Sequence, residues 1–110
     1  MSEIDDLAER LRAFARARDW EQFHTPKNLA MALAGEAGEL LAEFQWLTPE
    51  ESSAIMENTE EAASVMDELA DVMIYLVRLA DVLGVDLADA AMTKIERNEA
   101  RFPPAPTDAK

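Results

Sequence analysis

Cysteine is absent from the chain, histidine occurs once, and ten basic residues face twenty-three acids. Without cysteine there is no disulfide, no thiolate metal site and no thiol nucleophile. A single histidine, His24, excludes the helical di-iron centre built on two Glu-x-x-His pairs. The net charge of −13 argues against an open surface for polymeric nucleic acid. No apolar run reaches the roughly 20 residues needed to cross a bilayer. The N-terminal "MSEIDDLAERL" lacks the basic segment and apolar core of a signal peptide. The expected setting is therefore the cytoplasm, with no membrane or nucleic-acid polymer as partner.

What the chain does contain is helical periodicity, and no segment alternates as a half-buried strand does. Ile4, Leu7, Leu11 and Phe14 mark one face of a first helix, from about Ile4 to Arg18. Thr25 caps a second helix with Pro26 at its first position, running to about Trp46. In "LTPEES", Thr48, Pro49 and Glu51 repeat that start as a capping box and open a short connecting helix that ends near Asn58. A long helix spans about Glu60 to Leu83 and stops at Gly84. Asp86 then caps a last helix to about Arg101. The expected fold is all-α: four main helices plus the short connector, one domain over residues 1–103, with 104–110 as a flexible proline-rich tail.

The second and fourth of these helices carry more apolar residues than one face can hold. Leu29 to Leu41 and Leu69 to Leu83 are apolar on most sides, and the remaining helices are too few to cover both. A second copy of the chain is the expected cover. Acids nevertheless recur within these same helices. "GEAGELLAEFQW" places Glu36, Glu39 and Glu43 at steps of three and four, and "DELADVMIYLVRLADVLG" places Glu68 and Asp71 at a step of three. Such steps return to one helix face.

If the two helices run antiparallel, Glu36, Glu39, Glu68 and Asp71 converge. Lys27 and Arg78, the chief basic residues of these helices, cannot neutralise them, and burying the cluster unpaired is prohibitive. A divalent cation resolves the conflict. An all-oxygen donor set suits Mg²⁺ or Mn²⁺ better than Zn²⁺. Gly35 and Gly38 each cost about 1 kcal/mol in a helix interior, which points to close packing or ligand approach there. Glu43 is either a further ligand or a rim charge.

Glu-x-x-Glu, an interval covering residues 40–67, then Glu-x-x-Asp is similar to the signature of the all-α nucleotide pyrophosphohydrolases, the MazG-like superfamily. "RDWEQFHTPKNLAMALAGEAGELLAEFQW", "DELADVMIYLVRLAD" and "KIERNEARFP" most resemble its dCTP pyrophosphatase branch. In the longer form of the signature, EExxE, Gly35 stands where the first acid would be. The resemblance implies Mg²⁺-dependent cleavage of a nucleoside triphosphate to the monophosphate and pyrophosphate, in the service of nucleotide-pool sanitation. It names Glu36, Glu39, Glu68 and Asp71 as metal ligands, with Glu39 also the candidate base toward water. A homotetramer built as a dimer of dimers is implied, with a homodimer as the alternative.

Trp20, Trp46 and Tyr75 are then candidates to stack on or fence a nucleobase, and His24 to touch sugar or base. Ordinary core packing is the other reading of the aromatics. Lys94, Asn98 and Arg101 recur on one face of the last helix, where they suit triphosphate oxygens or simply complement a helix C-terminus. Alternatives within reach are dUTP or another nucleotide as substrate, or a non-catalytic helical oligomer that binds divalent cations. Because the apolar helices outrun their cover, light scattering at micromolar concentration is expected to give at least a dimer; a monomer mass would contradict that reading.

Overall fold

The computed structural model describes residues 2–106, so the expectation for positions 107–110 of the tail lies outside them. Five α-helices follow one another: α1 (Glu3–Ala17), α2 (Pro26–Ala42), a short α3 (Pro49–Ser53), α4 (Thr59–Leu83) and α5 (Leu87–Arg101). Single 3₁₀ turns at Glu21–Phe23 and Ile55–Glu57 join them, and no strand occurs among the described residues. The all-α fold with four main helices and a connector is the one expected from the periodicity.

Local chemistry sets the boundaries. Ser2 opens α1 and Thr48 opens α3 with reciprocal capping boxes, to Asp5 and Glu51 respectively. Thr25 accepts from the Asn28 amide ahead of Pro26, and Asn58 accepts from the Glu61 amide to start α4. One boundary differs from expectation: α2 leaves the α-conformation after Ala42 rather than at Trp46. Glu43 and Phe44 donate instead to Leu40 and Leu41, three residues back, and the chain tightens into turns that carry Trp46 off the helix.

α1 and α4 end alike. Asp19 at φ 56° follows α1 and Gly84 at φ 71° follows α4. The Trp20 amide reaches back to Ala15 O and the Val85 amide to Ala80 O, so carbonyls at each helix end are satisfied by a six-to-one closure. The α1 closure fixes where Trp20 leaves the helix.

α2 and α4 form the central pair. His24, just before α2, meets Arg78 near the end of α4, whereas Glu36 in mid-α2 meets Glu68 earlier in α4, so the helices run antiparallel. α1 lies against the second half of α4, tied by Arg12 to Asp81 at 2.7 Å. Leu29 and Val77 are the largest fully buried side chains; Ala15, Ile55, Val65 and Ala80 complete a small apolar core. α5 buries no residue. The radius of gyration, 17.8 Å, exceeds the ~13 Å of a compact domain of about this length, as a projecting α5 requires.

For Gly35 and Gly38 the structure removes one of the two expectations, close packing within the chain, and leaves ligand approach standing. A Cβ built on either would meet nothing within 4 Å, so no close packing inside the chain explains them. By contrast, Asp19 and Gly84 occupy the left-handed region where a side chain is costly. Asp19→Gly is expected to stabilise the fold by about 1 kcal/mol and Gly84→Ala to destabilise it by about as much, read by chemical denaturation. Equal stabilities for the two variants would contradict the closures described.

Candidate active site

The seam between α2 and α4 brings three acids together. Carboxylate oxygens of Glu36, Glu39 and Glu68 lie within 4.8 Å of one another. Glu36 and Glu68 are half-buried, and the Oε2 atom of each is shut off from solvent without a hydrogen-bond partner. Buried polar atoms are almost always satisfied, so two carboxylate oxygens without a partner beside a third acid make the seam a candidate cation site, a proton shared with Glu39 being the other way to relieve them. Among the described residues, no lysine or arginine pairs with either group. The donors are all oxygen and close enough to share one ion, which fits a hard divalent cation.

The crowding also shows in the electrostatics. Removal from water raises the Glu36 carboxyl above its ordinary 4.5, and the charges of Glu39 and Asp71 push it further in that direction. Glu68 is raised by the same desolvation, then by Glu39, Glu36 and Asp71. Asp71 thus acts on both, although the tight triad does not include it.

Asp71 also lines a neighbouring groove of about 250 Å³, with Trp20, His24, Tyr75, Phe14 and Arg78 among its walls. Trp20 stands edge-on to Phe14, ring centroids 5.7 Å apart, and edge-on to His24 at 6.4 Å. It remains 45% exposed, an aromatic held in place with surface to spare. The acids and an apolar, aromatic groove are therefore contiguous, with Asp71 at the join.

Other residues singled out by the sequence are not brought to this place by their own chain. Trp46 lies in the turns beyond α2, is 85% exposed, and does not line the aromatic groove. Lys94, Asn98 and Arg101 stand on projecting α5; Lys94 and Arg101 are exposed, and Arg101 lies over the Phe102 ring at 5.0 Å. Glu43 is half-buried at the end of α2, outside the triad.

Sequence reasoning missed a polar chain behind the groove. Arg78 is only 7% exposed, yet donates from Nε to His24 Nδ1 at 3.0 Å and from Nη1 to Asp81 at 3.1 Å. Asp81 also accepts two bonds from Arg12. The sign was present: an Arg and an Asp three residues apart inside the most apolar helix are a pair, not a solvated face. The Arg12 hydrogen bond, followed by the charges of Arg12 and Arg78, holds the Asp81 carboxyl below its ordinary 3.8 against the effect of burial.

Comparisons with known proteins give the family and the fold. Residues 32–107 match the MazG-like family, and the chain belongs to that family. A Homo sapiens protein named dCTP pyrophosphatase 1 is 45% identical over 100 residues, covering 91% of this chain, and its Bos taurus counterpart is 44% identical over the same length. The chain spans 59% of the length of each of these relatives. The crystal structure of a pyrophosphatase from Archaeoglobus fulgidus superposes with a TM-score of 0.85 at 37% identity, covering 94% of this chain and 95% of that one.

A carboxyl raised by folding holds its proton more tightly in the folded state, so its contribution is full below the ordinary value and is lost as pH rises through the raised one. Asp81 runs the other way, stabilising above its ordinary value and losing that contribution as pH falls. In chelator, the thermal midpoint is therefore expected to decline as pH rises from 4.5 toward neutrality, and Glu36→Gln or Glu68→Gln to flatten the decline. The upward shift on adding Mg²⁺ should grow over the same interval. Calorimetry showing a Mg²⁺ shift independent of pH would contradict the cluster as its site.

Proposed function

We propose that the protein hydrolyses a nucleoside triphosphate, with dCTP or a modified deoxynucleotide as the preferred class, to the monophosphate and pyrophosphate. The observation that carries this is the position of Asp71, shared between a carboxylate cluster suited to a cation and an aromatic groove suited to a base. A triphosphate laid across that join has its phosphates at the acids and its base at Trp20, His24 and Tyr75. The names of the relatives support the substrate class.

Glu36, Glu39, Glu68 and Asp71 would hold Mg²⁺, or Mn²⁺ in its place. The cation, when bound, supplies charge neutralisation for the phosphates and lowers the pKa of water. Glu39 is the exposed member of the triad, so it can reach solvent and accept the proton of the attacking water while the more enclosed Glu36 and Glu68 serve as ligands. Water adds its oxygen at phosphorus, the bridge between the α- and β-phosphates breaks, and pyrophosphate leaves. Trp20 and Tyr75 hold the base by stacking, and His24 offers it a polar contact.

The phosphate-side row needs a second copy. Lys94, Asn98 and Arg101 stand on α5, whereas the acid cluster of their own chain lies on α2 and α4, and Met31, Leu41, Leu69 and Met73 leave apolar surface open on those two helices. Burying that surface in a homo-oligomer, a homotetramer or at least a homodimer, gives α5 a neighbouring site to serve. No helix among the described residues is long and apolar enough to cross a membrane, consistent with a substrate taken from solution.

Chromatography of products from a panel of NTPs and dNTPs with Mg²⁺ tests the proposal; monophosphate and pyrophosphate from dCTP are expected, and no cleavage of any member would refute it. Glu39→Gln and Asp71→Asn are expected to lower kcat by about a hundredfold, the scale for a lost charge-stabilising group. Trp20→Ala should alter the ranking of dCTP, dUTP and dATP, since one base stack is worth about 1–3 kcal/mol. A uniform loss across the three would make Trp20 a packing residue.

A further inference from the structure

His24 accepts from Arg78 Nε at Nδ1, which requires that nitrogen to be unprotonated. The ring proton of the neutral imidazole therefore sits on Nε2. His24 lines the aromatic groove, and among the described residues nothing accepts from Nε2. Trp20, edge-on at 6.4 Å, limits rotation of the ring. Burial, then the charge of Arg78, lowers the His24 pKa below its ordinary 6.5, so the ring stays neutral near neutrality.

Arg78 is itself held. Its Nη1 is bonded to Asp81 at 3.1 Å, and Asp81 is gripped from α1 by Arg12 Nε at 3.1 Å and Nη2 at 2.7 Å. A guanidinium has donors in a rigid planar fork, so fixing Nη1 aims Nε. A nearly buried arginine inside an apolar helix is costly unless its bonds are made, and here they run from α1 through α4 to the segment before α2. The chain of contacts ends on the one imidazole in the protein.

We propose that Arg12, Asp81 and Arg78 are positioning residues that fix His24 in its Nε2–H tautomer and aim that N–H into the groove, where it donates to an acceptor on the nucleobase edge. The substrate part rests on the function proposed above; the tautomer does not. A fixed donor discriminates against a base edge that presents only donors at that point, whereas stacking on Trp20 and Tyr75 accepts any base. In this arrangement the aromatics supply affinity and the held imidazole supplies choice.

Because the chain has one histidine, long-range ¹H–¹⁵N correlation spectra of ¹⁵N-labelled protein show a single imidazole. The wild type is expected to show only the Nε2–H tautomer, with Nδ1 shifted by an accepted hydrogen bond. Arg78→Met should release that shift and admit the second tautomer. Asp81→Asn, which keeps size and shape, should do so in part, so the test survives a poorly folded Arg78 variant. A wild-type Nδ1–H, or spectra unchanged in both variants, would overturn the proposal. Kinetically, Arg78→Met should raise KM for dCTP roughly tenfold, the scale of one hydrogen bond, with most of the loss in KM rather than kcat. On a His24→Ala background the same change should cost no more than about twofold. Equal costs on both backgrounds would make Arg78 merely structural. Absence of dCTP cleavage by the wild type would overturn the substrate part alone, leaving the tautomer to stand or fall on the spectra.

Discussion

Three carboxylates pressed together on the seam of two apolar helices are the constraint on which the rest depends. Helix burial supplies the apolar contacts of Leu29, Val65 and Val77, and at the same place encloses Glu36 and Glu68 with an oxygen of each unsatisfied. Hydrophobic packing alone would expel such groups. Their retention makes sense when a cation belongs between them, with stability at neutral pH exchanged for a prepared binding point. Gly35 and Gly38 lie on the same helix, with open space beside them within the chain.

Around that seam the remaining elements form the groove in which the proposed nucleotide substrate would sit. α1 ends in a left-handed turn at Asp19 that sets Trp20 against Phe14 and His24, and the Arg12–Asp81 pair holds α1 to α4 so that this wall of the groove keeps its place. Asp71 joins the groove to the acids. The core is small, apolar faces of α2 and α4 stay exposed, and α5 buries nothing against its own chain, which is why a second copy is part of the proposal.

The helices were legible because their signals are local. Thr25, Thr48 and Asp86 cap where their side chains can reach an amide three residues on, and Gly84 ends α4 because it tolerates a positive φ. The face each acid pair shares was legible for a related reason, since a step of three fixes it within one helix; their convergence rested on antiparallel packing, which brings Glu36, Glu39 and Glu68 into one cluster and leaves Asp71 beside it. Trp46 was not: whether a helix continues four residues past Ala42 depends on turns that periodicity does not encode. Nor was the Arg12–Asp81–Arg78–His24 chain, which joins residues 69 and 54 positions apart through tertiary packing. Arg78 was visible only as a basic residue unable to neutralise the acids, and the structure shows it turned the other way, toward Asp81 and His24.

Manganese binding measured by electron paramagnetic resonance tests the central claim directly, because free Mn²⁺ gives a signal that bound ion loses. The account predicts saturable binding by the wild type, competed by Mg²⁺, and a large loss of affinity in Glu36→Gln and Glu68→Gln proteins that remain helical. Affinity equal in wild type and both variants would show that the ion sits elsewhere on this acidic surface, and the carboxylate seam would no longer explain the fold or its chemistry.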